Sequence, residues 1–303
     1  MPSSQWSLIG AGEIFMGPRS GGLLRSVGQT KEFKLEVKDE TKEMRDYVNG
    51  GGTADSVTVI DKVEATFQFQ SLSAKNLALA LRGATADEAS SVVTNQLHTA
   101  YAGGLIPVDG IGPTAVSVAV SPPAWVAGAV RVAGDLIKPT IGTHFYRCKS
   151  PGTSAAANEP TWKTDGTDTT DGSAVWQDMG LMILTAGEFQ INSAGIFIPE
   201  TSTKIAVTGT PVTLGYTTTA STIVQTLVAS AGEYRVVFAG KNMARGGKPM
   251  KVELFRTKFG VPKDISFLGD DFASLTLTAN VLKDDTRLGE DISAYCIISM
   301  AEE

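Results

Sequence analysis

The chain has 303 residues, enough for two domains, and its 19% charged residues and 32 glycines give the modest charge and generous turn content of a loop-rich β protein. A hydrophobic fraction of 42% argues against disorder, and a formal charge of -6 argues against a phosphate-backbone binder, which needs clustered Lys and Arg. The two cysteines, Cys148 and Cys296, lie far apart with no CxxC partner, so no zinc or thioredoxin motif is expected, and two buried free thiols are. No basic start leads into an apolar stretch, so no export signal is expected. No apolar run approaches the roughly 18 residues that a membrane span needs.

In chain order, Leu8-Ile-Gly-Ala-Gly-Glu-Ile14 reads as a strand bent at glycine. Its Gly10-x-Gly12 pair lacks the third glycine and the following helix of a dinucleotide fingerprint. Residues 32–38 alternate, with Phe33, Leu35 and Val37 inward and Glu32, Lys34, Glu36 and Lys38 outward. Residues 39–55 are polar and include the run Gly50-Gly-Gly52. They are expected as a long loop, functional or mobile, and as a contact element between subunits. Residues 57–70 form a half-buried strand, with Val63, Ala65, Phe67 and Phe69 against Lys62, Glu64, Thr66, Gln68 and Gln70. A helix follows, N-capped by Ser73, closed by Gly83 at C′, with Leu77, Leu79 and Leu81 as its apolar stripe.

Residues 105–108 and 115–120 read as strands. From 121 to about 181 the texture changes: three of the four tryptophans, Trp125, Trp162 and Trp176, sit among Gly, Thr, Asp and Pro. Matching β texture resumes on the far side, so the block reads as a small domain inserted in a loop. The remainder predicts strands over 188–191, 195–198, 212–217, 222–229, 233–240, 251–259, 275–281 and 295–300. Residues 242–249 form a Gly-rich turn within a hairpin. One short helix among many strands means an all-β sandwich or barrel. The domains are then 1–120 with 182–303, discontinuous, and the insert 121–181.

Chemistry-bearing motifs are scarce. His98 and His144 fall in different regions, and no G-x-S-x-G elbow presents a serine. Asp165, Asp168 and Asp171 gather in a turn-rich loop, but the spacing is not that of an EF-hand, and Asp in turns commonly caps them. Asp270-Asp271 and Asp284-Asp285 are adjacent pairs, and adjacent strand residues point to opposite faces, so neither pair converges on a substrate. No catalytic residue, metal ligand or cofactor is expected. Trp125, Tyr146, Trp162 and Trp176 have two readings. They offer stacking faces to a sugar, or they form the core of a small domain short of aliphatics; the second is favoured.

The order of several pieces resembles the major tail tube protein of long, non-contractile-tailed bacteriophages. These are Leu8-Ile-Gly-Ala-Gly-Glu-Ile14, Glu40-Thr-Lys-Glu-Met44 with Gly50-Gly-Gly52, the helix over 73–83, Gly195-Ile-Phe-Ile-Pro199, Glu233-Tyr-Arg-Val-Val-Phe-Ala-Gly-Lys-Asn242, Gly247-Lys-Pro249 and Gly269-Asp-Asp-Phe272. The insert resembles a module of phage structural proteins likened to chitin-binding-type carbohydrate modules. Its pattern is Trp125, Gly134-Asp135, Tyr146-Arg-Cys148, Gly152-Thr-Ser154, Glu159-Pro-Thr-Trp162, Asp171-Gly172 and Val175-Trp176.

The first resemblance implies a structural virion protein of a siphophage, self-assembling into hexameric rings that stack into a tube for DNA ejection. It implies a tape measure protein, a tail terminator and distal tail proteins as partners. DNA passes through without specific binding, in a virion assembled in the host cytoplasm. It places Glu40, Lys42, Glu43, Arg45, Asp46 and Tyr47 at contacts between rings, and Glu64, Thr66 and Gln68 on the lumen face. Two other readings stand beside it. One is a carbohydrate-binding or carbohydrate-active protein using the Trp-rich insert. The other is a subunit of a phage-tail-like bacteriocin, which the sequence does not separate from the first.

Overall fold

A computed structural model describes residues 7–48, 50–287 and 289–301. The chain is all-β with one short α-helix, and it divides into two compact units, residues 1–86 with 222–303 and residues 87–221. The expected insert, 121–181, lies within the second unit.

The first leg of the chain holds β1 (Gly10–Pro18), β2 (Arg25–Ser26), β3 (Thr30–Arg45), β4 (Thr53–Phe69), α1 (Ala74–Ala80) and β5 (Ala84–Glu88). Strands β3 and β4 are 16 and 17 residues long and pair from end to end. The stretch 39–55, expected as a loop, is therefore mostly a hairpin. Its strands carry no apolar face that periodicity could reveal, but Thr53, Val57, Thr58, Val59 and Ile60 are β-branched and favour extended backbone. Helix α1 begins as expected: the Ser73 hydroxyl accepts the Asn76 N–H at 3.3 Å. Its end differs. Arg82, not Gly83, takes the left-handed conformation (φ 48°), and the Gly83 N–H donates to Ala78 O at 2.7 Å, the pairing of a Schellman close. Gly83 serves another need, since a Cβ there would meet Gln225 O at 2.3 Å. The buried face of α1 carries Asn76 and Ala80 rather than Leu77 and Leu81. Asn76 Nδ2 donates to Val27 O and Ser71 O, each at 2.8 Å, so its burial leaves no polar atom stranded.

The second unit contains β6 (Val92–Ala100), β7 (Leu105–Pro107), β8 (Ile111–Val120), β9 (Val130–Arg131), β10 (Leu136–Ile137), β11 (His144–Ser150), β12 (Gly152–Thr153), β13 (Thr169–Asp171), β14 (Ala174–Leu181), β15 (Gln190–Asn192), β16 (Gly195–Phe197) and β17 (Thr210–Thr219). Two three-stranded antiparallel sheets, β6-β17-β8 and β15-β16-β7, contribute to a core that includes Val118, Val212, Leu214, Tyr216, Ile106 and Ile196. Within the insert region, β10-β11-β14-β13 form a four-stranded sheet over a separate cluster of Ile137, Tyr146, Cys148, Ala174 and Trp176. Strand β11 serves both clusters, because side chains alternate along a strand. Phe145 packs in the first cluster, and its neighbours in sequence on the other face pack in the second.

The chain returns through β18 (Ser221–Gln225), β19 (Glu233–Asn242), a 3-10 turn (Met243–Arg245), β20 (Lys248–Phe259), β21 (Leu275–Val281) and β22 (Cys296–Met300). Strand β18 pairs with β5, and the division between the units falls within these two strands. Residues 226–229, expected to extend that strand, lie outside it. The first unit is built on an eight-stranded antiparallel sheet, ordered β2-β1-β19-β20-β21-β4-β3, with β22 also on β20. The alternation read from residues 63–69 is that of the structure: Val63, Ala65, Phe67 and Phe69 are buried against Leu275, Leu277, Leu254, Val236 and Ile14. The Phe33 ring stacks on Phe67 with centroids 5.0 Å apart and reaches Phe238 at 5.9 Å. Phe33 is on β3, at one end of the strand path, and Phe238 is on β19, near the other. The sheet therefore curls until its two ends share one core.

Candidate interaction surfaces

The most prominent feature of the first unit is the far half of the β3–β4 hairpin. Every residue from 53 to 62 of β4 is exposed, and burial begins only at Val63. A register shift at Lys38/Asp39, where Asp39 pairs with Ile60, marks the departure from the sheet. Beyond it the paired strands form a two-stranded arm about 20 Å long, at roughly 3.3 Å per residue. One face carries Asp39, Thr41 and Glu43 opposite Ile60, Thr58 and Ser56; the other carries Glu40, Lys42 and Met44 opposite Val59, Val57 and Asp55. Thr41 and Thr58 hydroxyls meet at 3.0 Å. At the tip the Asp46 N–H donates to Gly52 O at 2.8 Å and the Val48 N–H to Asp46 Oδ1 at 2.8 Å. Gly50, Gly51 and Gly52 all have positive φ, which a chain reversal of this kind assigns to glycine. Tyr47 and Val48 are 86% and 91% exposed.

All six residues expected at contacts between subunits, Glu40, Lys42, Glu43, Arg45, Asp46 and Tyr47, thus belong to this arm. An isolated two-stranded ribbon is marginal in water, and this one displays apolar side chains on both faces.

The polar face of the sheet brings together the three residues expected on a lumen. Glu64, Thr66 and Gln68 pair with Asn280, Thr278 and Thr276 of β21, and Gln68 donates to Ser274 Oγ at 3.1 Å. Glu64 sits between Lys62 and Lys38, at 2.6 and 3.2 Å, and hydrogen bonds from these two ammonium groups hold its carboxyl below the usual value. Glu36 lies 3.5 Å from Lys38 and 3.9 Å from Lys34. The result is a ladder of alternating sign with little net field, a poor trap for phosphates.

A second charged group was invisible in the sequence, because its members come from four separated segments. Arg19 bridges Glu233 at 3.2 Å and Asp284 at 2.9 Å, and Arg256 bridges Glu233 at 2.7 Å and Asp285 at 3.9 Å. Arg235 Nε donates to Glu253 at 2.8 Å, and the Arg287 guanidinium lies 3.7 Å above the Phe255 ring. Hydrogen bonds from Thr286 and Arg19 lower the Asp284 pKa to about 2. Asp284 and Asp285 are thus scaffold ions, and Asp270 and Asp271 lie exposed on the 260–274 loop.

In the insert, Tyr146 and Trp176 are fully buried, and Trp125 and Trp162 are half-buried. The hub is Asp171, which is 1% exposed. Its Oδ2 accepts both indole N–H groups, from Trp125 at 3.0 Å and Trp176 at 3.1 Å, and its Oδ1 accepts the Ala155 N–H at 2.8 Å. Burial pushes this carboxyl up, but the hydrogen bonds from Ala155, Trp125, Ser154 and Trp176 together outweigh it and hold it below the ordinary value. The other two acidic residues of the turn have separate tasks: Asp165 caps Thr167, and Asp168 pairs with Lys149 at 2.6 Å. Among the described residues no group of three or more His, Cys, Asp or Glu side chains is placed to hold a metal ion.

Trp162 packs tilted against Tyr146, with centroids 4.4 Å apart and planes at 36°, and donates its indole N–H to Glu159 at 2.8 Å. It lines an open groove of about 540 Å³ with Ile141, His144 and Glu159. His144 Nδ1 lies 2.9 Å from Asp178, which also accepts the Gly180 N–H at 2.8 Å. This pair fixes the bulged end of β11 against β14.

The fold and its surfaces define an all-β protein of two compact units, with a projecting hairpin arm on one and a Trp-centred aromatic cluster within the other. The chain belongs to the family described as Protein of unknown function UCP028589, whose profile matches residues 7–130 and 177–299. No curated protein matches the chain. The unmatched interval, 131–176, contains Tyr146, Trp162, Trp176 and Asp171, so the aromatic cluster apart from Trp125 is additional to what the family shares.

Proposed function

We propose that this chain is a structural subunit that assembles with copies of itself into stacked hexameric rings, forming the tail tube of a long non-contractile-tailed bacteriophage. The observation that carries the reading is the β3–β4 arm, a ribbon exposed on both faces and tipped by Tyr47 and Val48. In this reading Glu40, Lys42, Glu43, Arg45, Asp46 and Tyr47 reach a subunit of the next ring. Edges of the curled sheet pair between neighbours, which removes hydrogen-bonding edges that would otherwise aggregate. Glu64, Thr66 and Gln68 face the lumen, where a charge-balanced surface lets DNA pass without binding. The assembly uses a tape measure protein, a tail terminator and distal tail proteins, and it takes place in the host cytoplasm before becoming part of the virion. The proposal gives the chain no catalytic role and no cofactor.

The tube-forming domain is then 1–120 with 182–303, and 121–181 is a decoration on the outside of the tube. The break in the family match at 131–176 supports that division. The test is negative-stain electron microscopy with sizing at rising concentration, on the full chain and on a variant with 131–176 replaced by a short Gly/Ser linker. Rings or tubes with a central hole are expected from both, with outward knobs only on the first. A full chain that stays monomeric at the highest attainable concentration, alone and with preformed fragments as seeds, would overturn the reading.

A second reading concerns the insert alone and is favoured by the open groove beside Trp162. There the half-buried indole offers a partial face to a sugar ring, with Trp125 as the other half-buried aromatic, while Tyr146 and Trp176 act as its core. Binding to insoluble glycan polymers, lost in Trp162→Ala with the fold retained, is its test.

A further inference from the structure

The first unit contains a recess of about 380 Å³ whose charge is out of keeping with an acidic chain. Three cations line it, Arg25, Lys75 and Arg82, and among the described residues no carboxylate does. Its apolar floor includes Leu79, Tyr234 and Phe259. Among the described residues none of the three cations forms an ion pair. Arg25 is held in place by neutral partners: its Nη1 donates to Asn76 Oδ1 at 2.8 Å. Arg82 Nε is buried and, among the described residues, accepted by no atom, and the Arg82 carbonyl fixes this turn by accepting the Ala229 N–H at 2.8 Å. Burial pulls the Arg25 guanidinium below its usual pKa, so a carboxylate brought to this recess would relieve an existing cost.

The same unit carries a segment of complementary chemistry. The 260–274 loop between β20 and β21 is anchored at Ile265, which packs on the core. Beyond that anchor it displays Phe267, Leu268 and Phe272, exposed at 80%, 95% and 93%. Asp264, Asp270 and Asp271 lie among them, exposed and without ion pairs among the described residues. Large apolar side chains this exposed, interleaved with unpaired carboxylates, mark a contact surface rather than a solvated turn.

We propose that the 260–274 loop of one copy docks in the Arg25–Lys75–Arg82 recess of a second copy, with Asp270 and Asp271 meeting the cations and Phe272 covering Leu79 and Phe259. The charges match in sign, and the aromatic and aliphatic groups match in kind. Loop and recess are different surfaces of the same unit, so the contact is head-to-tail and propagates from copy to copy until it closes a ring. This inference rests on the self-assembly reading above and supplies it with one neighbour contact.

The test separates the two. A synthetic peptide spanning residues 262–275 is titrated against the full chain at low protein concentration, and binding is read by fluorescence anisotropy. Saturable, salt-sensitive binding is expected, weakened about tenfold for each cation reversed in Lys75→Glu and Arg82→Glu. No binding to the wild-type chain, or equal binding to the double variant, overturns the proposal whether or not tubes form. Where tubes form, the Asp270→Lys/Asp271→Lys chain assembles poorly. Adding Lys75→Glu/Arg82→Glu to that chain restores assembly, and a combined variant no better than either double variant overturns the pairing while leaving self-assembly intact.

Discussion

Replacing Asp171 tests whether one carboxylate holds the aromatic insert together. Asp171→Ala removes several acceptor contacts at once, among them the indoles of Trp125 and Trp176 on Oδ2 and the Ala155 amide on Oδ1. The donors are not equally stranded. Trp176 is fully buried, and its N–H has no route to water, so its loss costs about 2–3 kcal/mol. Trp125 and Ala155 are half-exposed and recover hydration, costing about 1 kcal/mol each. The expected loss is therefore about 4–5 kcal/mol, a large share of the stability of a unit this size. Asp171→Asn keeps one acceptor oxygen but turns an NH2 toward donors, and it is expected to cost about half as much. Three of the four tryptophans lie in this region, so urea unfolding followed by indole emission reads the loss directly. The sign with pH also follows. The folded carboxyl sits below its ordinary value, so its contribution is complete above about pH 4. It fades as the pH falls through the lower folded pKa. An Asp171→Ala chain with an unchanged unfolding midpoint would refute the hub.

Replacing residues 40–59 with a two-residue turn is expected to leave the thermal midpoint of the first unit unchanged, since burial in β4 begins at Val63. The same variant should abolish assembly by electron microscopy, and tubes from it would remove the arm from the mechanism. Gly12→Ala places a Cβ 2.4 Å from both Ala239 O and Gly240 Cα, and should lower stability by about 1–3 kcal/mol in denaturant titration. Asp284 has its pKa depressed to about 2 by Thr286 and Arg19. Its support for the chain end is complete above about pH 4 and lost as the pH falls toward 2. Limited proteolysis with pepsin should therefore release the 284–301 segment earlier in Asp284→Asn than in the parent near pH 4, with the difference vanishing near pH 2.

The elements legible in the sequence were those whose burial alternates. Residues 63–69, 233–240 and 275–281 each lay one side chain in two against a single core, and the period survives in the letters. The arm was not legible, because a ribbon wet on both faces has no such period: Glu40, Lys42 and Glu43 read as loop until backbone pairing is seen. The end of α1 misled for a similar reason. A glycine after a helix ordinarily signals the left-handed residue, yet here Gly83 is required by the approach of Gln225, and Arg82 bears the strain. The aromatic cluster was half legible. Its membership followed from composition, but the role of Asp171 as common acceptor for two indoles depends on positions 46 and 5 residues apart in the chain. The Arg19 and Arg256 bridges and the three-cation recess depend on segments distant in sequence, which no local spacing brings together.

The interleaving of the two units also sets an order of events during synthesis. The second unit is one continuous stretch, 87–221, and can close as soon as it leaves the ribosome. The first unit cannot. Strand β1 waits for β19, and the Phe67 and Phe69 face of β4 waits for β21. At 5–20 residues per second the interval from Phe69 to Leu275 is on the order of 10–40 s. Throughout that interval the β3–β4 hairpin exists without the sheet that covers its apolar face. The nascent chain is then at its most vulnerable to misassociation, and a chaperone would find its longest-lived client there. The same delay has a use, because neither the basic recess nor the acidic loop is complete until the 229–274 segment has emerged. A ribosome-bound chain can then display an arm without yet having the surface on which another copy would dock.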